Sequence, residues 1–405
     1  MRQAIFGMGL CLVMGMLAAC ASDGSRAPVT QLGGEQVGSA LVKFAIIGDY
    51  GQGPDKQGFD AERQVADMVA GWGVDFVVTV GDNNYGGYQH QPLGAASYNQ
   101  FVCDYYGQWV PSSSGSSCTF NPAGLPASDP GTRFFPTPGN HDWSGKGTGT
   151  PPNCSLSGTQ YSAYASFFPW AGKAGLNPQS ASGTDLYYSF SYPWGSGEPL
   201  IQFYSFNANC DLTDSGSCAS YGPSHGCSVN GDCAAQYQAQ KAAIQATQRQ
   251  SKANWSLVYL HQTPYSLGGD EACAEVANLN FQSALYDNAN GQGLAAIVAG
   301  HSHNYQRIQL NSAPQVPFLV NGAGGTNLDS CDCSTATPAM GKAICTKKFG
   351  AIFGWASSTG LYLGFYRPKA GGGSVLVDDC LIIRDASGNP MANCSSHEKV
   401  TICRS

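Results

Sequence analysis

The chain reads as an α/β protein, and three observations lead there. An apolar β-branched run, an amphipathic helix and a second apolar run follow one another between residues 42 and 80. Later short β-rich runs also end in Gly, Asp, Asn or His, as the strands of an α/β sheet do where they deliver chemistry. Long Gly-, Ser- and Pro-rich stretches between the runs carry most of the 16 cysteines, which points to loops held by disulfides.

The first strand is Val42-Lys43-Phe44-Ala45-Ile46-Ile47, closed by Gly48-Asp49-Tyr50-Gly51. Ala61, Val65, Met68, Val69 and Trp72 then fall on one face of a helix. Residues 75–80 form the next strand, ending in Gly81-Asp82-Asn83-Asn84-Tyr85. A strand-helix-strand unit makes its two strands parallel neighbours, so Asp49 and Asp82 end adjacent strands at one sheet edge.

Residues 97–109 have helical character, and Cys103 and Cys118 are placed for a disulfide within the loop that follows. Phe134-Phe135-Pro136-Thr137-Pro138 leads into Gly139-Asn140-His141-Asp142. Runs 187–190 and 200–206 belong to a second sheet, and residues 234–252 have good helix composition. Residues 255–260 form a buried strand ending in His261. Residues 294–299 form another, ending in Gly300-His301-Ser302-His303, where the i, i+2 spacing puts both histidines on one face if the strand continues. Late strands are expected at 318–320, 361–366 and 374–384, with a turn at 385–390.

Charged residues make up 12% of the 405 and the formal net charge is −7. With no cluster of Lys or Arg, that balance argues against a nucleic-acid partner. At the N-terminus, Arg2 precedes an apolar stretch (4–19) too short to span a membrane. The stretch ends in Leu17-Ala18-Ala19-Cys20, which resembles a bacterial lipobox. Cleavage before Cys20 and lipidation of its thiol would anchor the mature chain to a membrane outside the cytoplasm, in the periplasm or on the outer membrane. A plain secretory signal cut nearby is the other reading.

Residues 20–40 form a polar tether reaching roughly 25 Å, and residues 41–405 one catalytic domain. Setting aside Cys11 and Cys20 leaves fourteen of the 16 cysteines, an even number that suits seven disulfides in an oxidising compartment. Cys210, Cys218, Cys227 and Cys233 crowd one loop. Without a C-x-x-C pair, disulfides suit them better than zinc. Cys331, Cys333, Cys345, Cys380, Cys394 and Cys403 staple the C-terminal third.

Taken singly, each polar strand end has a bland reading: a turn aspartate, a helix cap, a satisfied core histidine. Together they form a set of oxygen and imidazole donors at five strand ends: Asp49; Asp82 with Tyr85; Asn140 with His141; His261; His301 with His303. Seven of these eight suit two metal ions sharing one bridging carboxylate, the arrangement of two-metal phosphoryl hydrolysis.

Those five blocks, in that order, resemble the signature of the purple acid phosphatases, within the calcineurin-like metallophosphoesterases. The resemblance spans about residues 41–385, and Tyr85 is its most specific feature. It implies a four-layer α/β/β/α metallophosphoesterase sandwich with long disulfide-rich loops. Asp49, Tyr85 and His303 would hold Fe(III); Asn140, His261 and His301 would hold a divalent Fe, Zn or Mn; Asp82 would bridge.

The implied activity is hydrolysis of small phosphate monoesters by in-line attack of a metal-bound hydroxide, with His141 protonating the leaving alkoxide. Asp142 either orients His141 or serves as an acid at a helix N-terminus. A phosphodiesterase acting on nucleotides or lipid head groups is the nearest alternative, and a non-catalytic surface-binding lipoprotein is a second. The chain departs from the family in lacking further histidines between 262 and 300. His90 or His225 are candidates to replace them. No fibronectin-like domain is read ahead of Val42, as in the small single-domain form.

Overall fold

The computed structural model describes residues 41–55, 57–85, 95–113, 115–125, 129–143, 159–170, 187–194, 197–208, 233–268, 294–311 and 313–404. In chain order the strands are β1 (Val42–Ile47), β2 (Phe76–Thr79), β3 (Phe134–Pro136), β4 (Tyr188–Tyr192), β5 (Ile201–Phe206), β6 (Trp255–Leu260), β7 (Leu294–Ala299), β8 (Tyr305–Leu310), β9 (Ala313–Asn321), β10 (Met340–Thr346), β11 (Ala351–Ala356), β12 (Leu361–Pro368), β13 (Ser374–Arg384), β14 (Pro390–Ser396) and β15 (Thr401–Arg404). The helices are α1 (Ala61–Ala70), α2 (Ala95–Tyr98), α3 (Asp104–Tyr106), α4 (Asn140–Trp143), α5 (Thr159–Phe167) and α6 (Cys233–Gln250).

Two mixed sheets result. The seven-stranded one runs β14-β13-β12-β11-β1-β2-β3, and the eight-stranded one β15-β10-β8-β9-β7-β6-β5-β4. Each has a parallel run: β1, β2 and β3 at one end of the first, and β5, β6, β7 and β9 inside the second. Strands buried on both faces read as continuous apolar runs, which is why β1, β6 and β7 were recognisable from composition.

The sheets face one another across an aromatic seam. The rings of Phe44 and Phe203 meet edge-to-face at 5.1 Å, and Phe76 meets Phe203 at 5.5 Å. Aromatic pairs of this geometry are worth about 0.5–1.5 kcal/mol beyond the area they bury. On the outer face of the first sheet lies α1, capped by Asp60, whose side chain accepts from Arg63 N. Trp72, just past its end, packs on Phe353 and Tyr366. On the outer face of the second sheet, Ile244 of α6 packs with Tyr204, Val258 and Leu260. Helix, sheet, sheet, helix is the expected four-layer sandwich.

Disulfides join Cys103 to Cys118, Cys331 to Cys345, Cys333 to Cys403 and Cys380 to Cys394. The proposed signal and tether, His90, His225, Cys154, Cys210, Cys218, Cys227, Cys273 and the Cys233 side chain lie outside the described residues. Among the described residues no helix is long and apolar enough to cross a membrane.

Candidate metal centre

Both parallel runs deliver their C-terminal ends to the same edge of the sandwich. From the first sheet come Asp49 after β1, Asp82 and Tyr85 after β2, and Asn140 after β3. From the second come His261 after β6, and His301 and His303 after β7. The site therefore straddles the seam between the sheets.

The donors fall into two groups. In one, Tyr85 Oη donates to Asp49 Oδ1 at 3.2 Å and lies 3.0 Å from His303 Nε2. In the other, Asn140 Oδ1 lies 2.9 Å from His261 Nε2 and 3.2 Å from His301 Nδ1. Asp82 belongs to both: its Oδ1 is 3.3 Å from His261 Nε2, and its carboxylate, that of Asp49 and the His303 ring converge within 4.8 Å.

Two imidazoles are fixed from behind. His261 Nδ1 sits 2.8 Å from the Val80 carbonyl, and His303 Nδ1 sits 3.1 Å from the Asn327 carbonyl. A carbonyl only accepts, so each Nδ1 carries the proton donated to it. In the neutral ring, Nε2 is then a lone pair. At His261 it faces the oxygens of Asn140 and Asp82; at His303 it faces those of Tyr85 and Asp49.

So dense a cluster of acceptors calls for positive charge. Burial works against a charged His261 ring, but the carboxylates of Asp82 and Asp49 outweigh it and raise it to about 10. Burial would also push Asp82 up; the attraction of His261 and His141 holds it far below the usual carboxylate range instead. A proton can answer that demand at one nitrogen. Metal cations answer it for the whole donor set, whose carboxylates, phenol, amide oxygen and imidazoles suit hard and borderline ions.

Backbone strain marks the same place. Asp49, Asp82 and His301 have φ of 55°, 50° and 72°, and among the described residues no other non-glycine residue is positive. Such conformations cost about 1–3 kcal/mol each and persist where the surroundings over-determine them. At His301 the kink corrects the strand reading of the two histidines. Both lie in a bend past β7 rather than on one strand face, so His301 reaches Asn140 while His303 reaches Asp49. Gly139 is held to glycine by close approach: a Cβ there would lie 2.1 Å from Asp82 Oδ1.

His141 lies at the rim, its side chain 11% exposed. Its backbone N–H donates to Asp82 Oδ1 at 2.9 Å, and its ring lies 4.3 Å from that of Tyr85, centre to centre. Asp142 is buried behind it. Its oxygens accept from Gly139 N, Asn83 N, Asn83 Nδ2 and Tyr98 Oη at 2.8–3.1 Å. Those bonds tie α4 to the loop after β2. Burial, then the charge of Asp82, pushes the Asp142 acid up to about 7 against the donors from Gly139 and Asn83.

The sequence reading passed over Asn83, although it stands between Asp82 and Tyr85. It accepts from Tyr50 Oη at 2.8 Å and donates to the Thr137 carbonyl at 2.9 Å, joining three strand ends. It also passed over the loop after β9, where Thr326 N donates to the Asp49 carbonyl at 3.0 Å and Asp329 Oδ2 accepts from His303 N at 3.0 Å. The run Asn321-Gly322-Ala323-Gly324-Gly325, directly after a strand, was the available signal.

Residues 42–305 match the calcineurin-like phosphoesterase family. One similar solved structure is a purple acid phosphatase from yellow lupin seeds, with 17% identity and a TM-score of 0.52 over 86% of this chain and 55% of that one. The chain thus spans about half the length of the lupin protein. Another is GAP50, described as the anchor in the inner membrane complex of Plasmodium, with 16% identity and a TM-score of 0.50 over 82% of this chain and 86% of that one. At these identities the likeness is one of fold. No curated protein matches the chain.

Proposed function

The chain belongs to the calcineurin-like phosphoesterase family, and on that premise we propose that it is an acid phosphatase of the purple type, hydrolysing small phosphate monoesters. The observation that carries the reading is the pair of donor groups sharing Asp82, with the Tyr85 phenol set between Asp49 and His303. Asp49, Tyr85 and His303 would hold Fe(III). Asn140, His261 and His301 would hold a divalent Fe, Zn or Mn, and Asp82 would serve both. When bound, the ions supply the charge that neutralises a phosphoryl group and activates water.

The protein's own part is positional and protonic. The Val80 and Asn327 carbonyls fix the tautomers of His261 and His303. The donors on Asp142 hold α4 so that Asn140 faces the seam and His141 faces the rim. His141 then gives its proton to the leaving oxygen as a general acid. A general acid must hold its proton to act, which favours work on the acid side.

The test compares p-nitrophenyl phosphate with its bis-ester, with elemental analysis and a visible spectrum on the same sample. The reading expects monoester preference, iron in the protein and a visible band lost in Tyr85→Phe. Bis-ester preference would move the protein to the diesterases. Neither turnover nor bound metal would leave a non-catalytic surface protein. As an extension, the lipobox reading makes Cys20 the membrane anchor, and the four disulfides above support an oxidising compartment. Labelled palmitate failing to enter the wild type, or entering Cys20→Ser equally, would overturn it.

A further inference from the structure

Glu62 is a buried acid that the chemistry above does not use. It lies in the first turn of α1 and is fully buried. Its Oε2 accepts from Gly53 N at 2.9 Å, while Oε1 has no partner. The neighbouring Arg63 turns away: its Nη2 donates to the Asp104 carbonyl and its guanidinium lies 4.0 Å over the Tyr105 ring. A buried carboxylate without a cation is costly enough that the group takes up a proton instead.

What Glu62 holds is the turn that joins the two acidic strand ends. Gly51 N donates to the Asp82 carbonyl, and Tyr85 N donates to the Gly51 carbonyl. One residue on, Gln52 Oε1 accepts from Thr326 Oγ1 at 2.6 Å, and Thr326 N donates to the Asp49 carbonyl at 3.0 Å. The 51–53 turn is therefore bonded to the backbone beside Asp82 and Tyr85, and through Thr326 to Asp49. Glu62 fixes its far end.

We propose that Glu62 is a positioning residue that works as an uncharged carboxylic acid, clamping the 51–53 turn so that Asp49, Asp82 and Tyr85 meet in one donor group. The second half of the statement rests on the metal-centre reading above; the first half does not. The groups facing Glu62 are few. Asp60 and Arg63 stand on its own helix, the first opposing ionisation and the second favouring it. Around it are the phenols of Tyr50, Tyr105 and Tyr106, and the 324–326 loop presents no titratable side chain. Burial first, then Asp60, raises the acid well above its ordinary value, against the Gly53 and Gln52 N–H groups and the charge of Arg63.

The stability this acid contributes is complete below about pH 4.5, its ordinary value, and is lost as pH rises toward its folded-state value. The loss reaches about tenfold per pH unit in the folding equilibrium. Glu62→Gln keeps the acceptor for Gly53 N and cannot ionise.

The experiment uses the intact protein. Thermal unfolding of wild type and Glu62→Gln is followed from pH 4 to 8, with and without chelator, and bound metal is measured for both and for Glu62→Ala. Expected are a Glu62→Gln advantage in Tm that grows from pH 4 to 8, wild-type metal content in Glu62→Gln, and reduced content in Glu62→Ala. A Tm difference that does not change with pH would overturn the uncharged-acid role. Equal metal content in Glu62→Ala and wild type would overturn the positioning role. If Glu62→Ala does not fold, Glu62→Gln decides: metal content below wild type at pH 5 overturns the proposal. A wild type that binds no metal defeats the metal-centre reading, while the chelator-treated Tm series still decides the protonation state.

Discussion

Removing Asp378 tests how firmly the two sheets are locked together. Asp378 lies in β13 of the first sheet and is fully buried. Arg307 reaches it from β8 of the second sheet, with Nε–Oδ2 of 2.8 Å and Nη2–Oδ1 of 2.9 Å. Tyr305 Oη, also from β8, and Ser396 Oγ donate to the same carboxylate at 2.8 and 2.7 Å. In Asp378→Ala the guanidinium stays charged with its side chain 8% exposed, so water replaces the lost partner only poorly.

Breaking a buried pair from one side costs about 3–5 kcal/mol. At about 2 °C per kcal/mol for a large domain, Tm falls by roughly 6–10 °C. The pair itself need not be stabilising overall, because apolar replacements of similar volume are often neutral. Arg307→Met with Asp378→Leu should therefore recover more than half of the loss, less what the stranded Tyr305 hydroxyl costs. The assay is denaturant unfolding with disulfides intact, monitored by tryptophan fluorescence. A loss below about 1 kcal/mol in Asp378→Ala, or a double variant less stable than the single one, would refute this account of the lock.

Three further outcomes are expected. His141→Ala should lower kcat by about 10²–10⁴ for esters with poor leaving groups and much less for p-nitrophenyl phosphate; equal losses would point to a binding role. Hydrogen bonds from Arg367, then from Lys348, hold the Glu398 carboxyl down at about 2, against a modest burial effect. Its stabilising effect is present above about pH 4.5 and vanishes toward pH 2, so Glu398→Gln should differ from wild type at pH 6 and unfold with it at pH 2; a constant difference would contradict this. Thiol titration of the denatured, unreduced protein should find no reactive thiol from Cys103, Cys118, Cys331, Cys333, Cys345, Cys380, Cys394 or Cys403, as peptide mapping of the labelled sites would check.

The parallel runs were legible in the sequence because strands buried on both faces are written as unbroken apolar stretches. Residues 42–47, 255–260 and 294–299 became β1, β6 and β7 with the bounds expected. The antiparallel flanks were legible only in part: β12 and β13 were expected, whereas β8, β10, β11, β14 and β15 were not. Gly354 interrupts β11, where a Cβ would lie 2.3 Å from the Phe44 ring, so a packing requirement looks like a strand breaker. The β14 sequence Pro-Met-Ala-Asn-Cys-Ser-Ser is polar because it forms an edge, and its identity comes from pairing with β13. At the site, the donor residues were visible as strand endings. Their partition into two groups was not, since it depends on the His301 backbone leaving the strand geometry.

That the site straddles the seam also bears on how the molecule comes into being. Neither sheet alone completes either group: Asp49, Asp82 and Tyr85 wait for His303, and Asn140 waits for His261 and His301. Any cation held there is a rivet between two halves brought together from segments more than 100 residues apart. An unassembled chain would grip metal more weakly, and full coordination would come only after docking. Metal supply would then act on the lifetime of the assembled form, since each ion resists the parting of the sheets, and starvation for metal would show first as a loosened seam.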